Sequence, residues 1–175
     1  MAQTTTKSLL IDDRSSGTLL STLGTKWRLV TDQVMGGISS GTLKVNTYKN
    51  QDCLHLQGEV STENNGGFIQ MALDLTTDKS FAASAYSGIE LEVAGNNETY
   101  NLHLRTTDLW FPWQSYRASF KTSSDWQTLF IPFTAFTPYR TGQALNLDRL
   151  KRIGLVAIGK DFTSDLCLGA IVLKP

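Results

Sequence analysis

Through most of its length the chain alternates apolar with polar residues. Ile69, Met71, Leu73 and Leu75 fall on one side of a run whose other side carries Phe68, Gln70, Ala72 and Asp74. Ile89, Leu91 and Val93 alternate with Glu90 and Glu92. Tyr100, Leu102 and Leu104 alternate with Asn101, His103 and Arg105, and Tyr116, Ala118 and Phe120 with Ser115, Arg117 and Ser119. A period of two marks a β-strand with one covered face. Upstream, Leu43 and Val45 continue the pattern, as do Leu54 and Leu56 opposite Cys53, His55 and Gln57. Leu9 to Ile11 reads as a short edge strand after a polar, frayed start. Trp126 to Phe133 is apolar on both faces and ends at Pro132, which suits a sheet edge. Leu155 to Gly159 reads as a strand covered on both faces, and Asp165 to Leu173 as the closing strand. Glu63 to Gly67 is a turn and Gly95-Asn96-Asn97 a hairpin-like one. The helical hint lies at Asp148 to Ile153, with Asp148 as its N-cap. Nine or ten such strands with almost no helix predict an antiparallel β-sandwich. With no repeat, low-complexity tract or linker, residues 1–175 read as one domain.

Charge narrows the function classes. Lys plus Arg and Asp plus Glu number 16 each, for a formal net charge of zero. Nucleic-acid binding draws on a surplus of cations and is not expected. No apolar run is long enough to span a bilayer, so an integral membrane protein is not expected either. The first residues form neither a secretory h-region nor an Arg-rich transit peptide. A cytoplasmic location is expected, or an organellar matrix in a eukaryote. Cys53 and Cys167 sit in strands and are expected to be free thiols. The two cysteines and two histidines form no ligand-like cluster, so neither metal nor cofactor is expected.

The stretch Trp27 to Gly41, WRLVTDQVMGGISSG, breaks the alternation. Asp32, Met35, the glycines Gly36 and Gly37, and Ser39 describe a shaped, hydrogen-bonded loop. It is either a tight corner with Met35 plugging the core or a rim loop that shapes a binding site. Catalytic chemistry has little to stand on. His55 and His103 belong to no nucleophile signature, and Asp12-Asp13 and Glu90/Glu92 suggest a turn and a wetted face rather than a carboxylate pair. Asp12, Asp13 and Asp32 suit turns better than Ca²⁺. A binding face is the better candidate. Gln70, His103, Arg105 and Arg117 lie on the polar side of their strands, and Trp110, Phe111, Trp113, Gln114 and Tyr116 lie in or beside the connection between two of them. Aromatics beside Arg and Gln donors suit a sugar platform or a protein contact. The alternative is that Trp113 and Tyr116 are core and Arg105 an ion-paired strand residue.

The same stretch carries a family resemblance. WRLVTDQVMGGISSG, and after it SGIELEVAGNNETYNLHLRT, PWQSYRASF, DWQTLFIPFTAF and LKRIGLVAIGKDF, resemble in order the blocks of the complex I intermediate-associated protein 30 family. That family includes the mitochondrial assembly factor of NADH:ubiquinone oxidoreductase and bacterial relatives. The resemblance implies a jelly roll of the galactose-binding-like kind. It also implies a non-catalytic role as an assembly factor or chaperone-like partner for protein subunits of a larger complex. Because such jelly rolls resemble carbohydrate-binding modules, glycan binding is the alternative, and a small sugar-acting enzyme a more distant one.

Overall fold

The computed structural model describes residues 6–175, so the polar start lies largely outside the described residues. Two antiparallel sheets stack face to face. The first contains β1 (Leu9–Asp12), β3 (Ser40–Tyr48), β4 (Gln51–Val60), β6 (Gly88–Ala94), β9 (Gln127–Pro132) and β12 (Phe162–Lys174). Its order is β3-β4-β12-β6-β9, and β1 continues the β4 edge of the long β12. The second contains β2 (Arg28–Thr31), β5 (Phe68–Asp74), β7 (Thr99–Thr106), β8 (Ser115–Lys121), β10 (Thr137–Tyr139) and β11 (Leu150–Ile158), in the order β10-β8-β7-β11-β5-β2. Among the described residues the helical elements are short 3₁₀ turns.

The core is what the alternation requires. Leu54, Leu56, Ile89, Leu91, Leu166 and Leu168 of the first sheet meet Ile69, Met71, Leu73, Leu102, Leu104 and Leu155 of the second, all buried. Each such side chain contributes roughly 2 kcal/mol of apolar burial. Pro132 closes β9 at an edge of the first sheet, as expected, and Val156 is buried on the outer side of β11.

Several expectations change. Gly95-Asn96-Asn97 does not close a hairpin: β6 and β7 belong to opposite sheets, and the segment carries the chain across, with Asn97 at φ 66°. The helical hint is a single 3₁₀ turn, Leu147–Arg149. Its N-cap is Asn146, whose side chain accepts from the Asp148 N–H, and Leu150 already begins β11. Cys53 and Cys167 are joined in a disulfide, with Cα atoms 5.3 Å apart. Separated by 114 residues, they are brought together by the pairing of β4 with β12, where Cys167 lies opposite His55.

Met35 does not plug the core; it is 58% exposed. Buried Asp32 fills the centre of its loop instead. Its carboxylate accepts from Ser39 N (3.0 Å), Ser39 Oγ (2.5 Å), Gly67 N (2.6 Å) and Phe68 N (3.3 Å). Burial alone would raise its pKa, but these donors hold it below the usual carboxylate range. The two glycines have separate reasons. Gly36 adopts φ 86°, and a Cβ on Gly37 would come within 2.4 Å of Asp32 Cγ. At this corner between β2 and β3 a buried aspartate holds the place expected for the methionine.

Candidate functional site

The outer face of the second sheet gathers most of the expected residues. Cross-strand register sets Arg28, Ala72, Gly154, His103 and Arg117 in one row across β2, β5, β11, β7 and β8. One step along the strands, Asp74, Arg152 and Arg105 form the next row; on the other side lie Val30, Gln70, Val156 and Asn101. Small residues make the floor of the first row. A Cβ on Gly154 would come within 2.5 Å of Gln70 Oε1, so the Gln70 side chain lies over that position.

The arginines have different partners. Arg152 Nε donates to Asp74 at 2.7 Å, and Arg28 reaches the same carboxylate at 3.6 Å. Burial would raise the Asp74 pKa, but Arg152 and Arg28 hold it below the ordinary range. Arg105 donates instead to the carbonyls of Phe111 (2.9 Å) and Gln114 (2.5 Å), tying the β7–β8 loop to the sheet. Arg117 Nε donates to Ser115 Oγ, and its guanidinium stacks 3.5 Å from the Tyr139 ring centroid. Neither Arg105 nor Arg117 has a carboxylate partner among the described residues. Burial lowers the pKa of both, and Arg152 adds to the effect at Arg105. Between them His103 is pushed down to about 3 by burial and by Arg117. Its Nε2 is buried without a hydrogen-bond partner.

The β7–β8 loop carries the aromatics. Trp110 is 88% exposed, while Phe111 and Trp113 stack on each other with centroids 4.7 Å apart. Gln114 braces them: its Oε1 accepts from the Trp110 and Phe111 N–H groups, and its Nε2 donates to Arg140 O. A cleft of about 370 Å³ opens beside Trp110, lined also by Asp108, Thr141 and Gln143. Tyr116 is not part of this surface. It is fully buried between the sheets, with its hydroxyl on the carbonyls of Gln143 and Ala144.

Thus Gln70, His103, Arg105 and Arg117 share one face. Trp110, Trp113 and Gln114 stand at one end of it, and Tyr116 lies beneath. The Asp32 loop is elsewhere: it follows β2 at the end of the sheet where β5 begins, whereas the aromatic loop lies where β5 ends. Sequence reasoning missed Arg28, Asp74, Arg152 and Tyr139. The helical reading of residues 148–153 hid the strand phase that places Arg152 outward.

Other polar groups have structural partners. Asp12 is buried and receives hydrogen bonds from Trp27 Nε1 (2.7 Å) and Arg14 Nε (3.1 Å). His55, on the outer face of the first sheet, contacts Asp165 at 2.5 Å through Nε2 and Asn46 at 3.0 Å through Nδ1. Among the described residues no group of three potential metal ligands converges, and no helix is long and apolar enough to cross a membrane.

Two stacked antiparallel sheets of this order form a jelly-roll sandwich. The fold is similar to the family 11 carbohydrate-binding module of a Clostridium thermocellum cellulosomal cellulase, with TM-score 0.75, 14% identity, and 98% of this chain and 96% of that one covered. A family 11 module from the same organism, in complex with a β-1,3-1,4-mixed-linked tetrasaccharide, matches with TM-score 0.73 and 15% identity over 95% of each chain. A family 30 module of another cellulosomal cellulase from that organism gives 0.68 and 13%, covering 97% and 98%. At such identities the likeness is one of fold. Sequence is more specific: residues 20–168 match the complex I intermediate-associated protein 30 family, and the chain belongs to that family. Among curated proteins, none matches.

Proposed function

We propose that the protein is a non-catalytic binding module that acts as an assembly factor for a multi-subunit, respiratory complex I-like protein complex. The observation that carries this reading is the family match over residues 20–168. The surface chemistry supports it: Trp110 stands out from a loop that Arg105 and Gln114 hold in place. Exposed Trp beside Arg is the composition of protein-binding hot spots. The histidines add support, since His103 is held neutral and both ring nitrogens of His55 are engaged.

The test is capture from the native host with wild type, Trp110→Ala and Trp113→Ala as bait. Wild type is expected to recover subunits of a respiratory complex, and both variants to lose them. Recovery of the same subunits by all three would remove the aromatic loop from the reading. Recovery of no complex subunit by wild type would remove the reading itself.

Glycan binding is the second reading. It is supported by the likeness to a module solved with a bound tetrasaccharide and by the cleft beside Trp110, which offers Asp108, Gln114 and Gln143 as hydrogen-bonding groups. Binding of a neutral oligosaccharide, abolished by Trp110→Ala, would favour it over the first.

A further inference from the structure

The outer face of the second sheet carries more arginines than carboxylates. In a chain of zero formal net charge, Arg28, Arg152, Arg105 and Arg117 occupy this face, while among the described residues Asp74 is the carboxylate that answers them. Asp74 serves two of the four, Arg28 and Arg152. Arg105 lies directly opposite Arg152 across the β7–β11 pair, and Arg117 directly opposite His103 across β7–β8. Of these two pairs, Arg105 and Arg152 set like charges opposite one another, which is unfavourable in a sheet. Half-burial removes part of the water that would otherwise screen them. Such an arrangement is relieved by an anion from outside.

We infer that this face is a carboxylate-binding groove that takes an extended acidic segment of a protein partner. The spacing fits that occupant. Arg28, Arg152, Arg105 and Arg117 are spread over five successive strands, β2-β5-β11-β7-β8. Four strand intervals amount to about 19 Å, the length of an extended peptide of about six residues. Guanidinium groups receive carboxylates through paired N–H donors. Gln70, whose side-chain amide lies over Gly154, offers a polar group to a backbone laid across the row, and His103 has a buried ring nitrogen without a partner beside it. A sugar would need an open ring to stack on. The ring that packs among these arginines, Tyr139, already has Arg117 on it at 3.5 Å and Arg140 at 5.2 Å. The groove thus deepens the proposed assembly role by naming the chemistry of the partner, and it rests on that reading.

The test is NMR titration of the intact, isotope-labelled protein with hexaglutamate, with hexalysine and tri-galacturonate as parallel arms. Hexaglutamate is expected to shift the resonances of His103, Gly154 and the Arg117 side chain and to lose affinity steeply as salt rises to about 0.3 M. Arg28→Gln and Arg117→Gln are each expected to weaken it about fivefold, and the pair about twentyfold or more. Neither residue ties down a loop, and thermal melts of both variants verify that the fold is kept. Hexalysine is expected not to bind. Hexaglutamate shifts confined to another surface, or affinity unchanged in the double variant, would overturn the inference. So would tri-galacturonate binding this face where hexaglutamate does not. If hexaglutamate fails while wild type still captures complex subunits, the groove is wrong and the assembly reading stands. If hexaglutamate binds as expected and no subunit is captured, the groove stands and the partner must be sought elsewhere.

Discussion

Asp32 shows how one side chain can order a loop that has almost no regular structure. Four donors from two chain segments, Ser39 and Gly67-Phe68, converge on its carboxylate, and Gly37 and Gly66 leave room for it; a Cβ on Gly66 would come within 2.5 Å of Asp32 Oδ2. Asp32→Ala would strand buried N–H groups of Ser39 and Gly67. It is expected to cost about 2–4 kcal/mol, read as a shift in the denaturant midpoint. Gly37→Ala acts on the same contact, so the double variant should cost much less than the sum of the two. His103 makes a pH-dependent contribution of opposite origin. Its pKa is about 3 in the folded protein and near 6.5 when unfolded. Between these values the unfolded chain binds the extra proton, so stability falls as pH falls. From pH 7 to 5 the loss at this site is roughly 2 kcal/mol. His103→Gln should flatten the stability profile in that window, measured by urea unfolding at each pH; an unchanged slope would show that the imidazole charges freely.

At the level of strands, alternation was legible wherever one face meets the core, because the side-chain period is fixed by the pleat. What it could not convey was which strands share a sheet. The Gly95 to Asn97 segment has hairpin chemistry, yet it carries the chain between layers, since turn residues satisfy local φ/ψ without specifying the partner strand. Phase was lost in β12 for a similar reason. Leu166 and Leu168 point inward, but so do Ile171 and Leu173, because the register against β6 shifts between Leu168 and Ala170 around Gly169. The cysteine pairing was equally out of reach, since it depends on β4 lying beside β12. Closing a loop of 114 residues, the disulfide restricts the unfolded chain. On the chain-entropy account it contributes about 3–5 kcal/mol. The Cys53→Ala, Cys167→Ala double variant is therefore expected to melt well below wild type, and adding reductant to wild type should lower its melting temperature toward that of the variant. A melt indifferent to reductant would mean that the bond contributes little.

Across the whole molecule, two exposed apolar features stand at opposite ends of one sheet. The Asp32 loop presents Val34, 74% exposed, with Met35 and Ile38. The β7–β8 loop presents Trp110 with the stacked Phe111 and Trp113. The arginines lie on the strands between them, towards the aromatic end. The aromatic cluster was legible as a surface feature because Trp, Phe and Gln crowd a short connection beside two polar strand faces. That the glycine-rich stretch lies at the other end was not, since only strand order separates them. If the partner grips the aromatic end and the arginine face, the two ends contribute unequally. Trp110→Ala should leave stability within about 0.5 kcal/mol of wild type, as its side chain is nearly all in water, while weakening partner binding by about 2 kcal/mol or roughly thirtyfold. Met35→Ser should leave both nearly unchanged. Surface plasmon resonance against the captured subunit, alongside a thermal melt of each variant, checks both statements. Binding lost in Met35→Ser and kept in Trp110→Ala would move the contact to the Asp32 loop, making that loop the docking element and the aromatic rim a bystander.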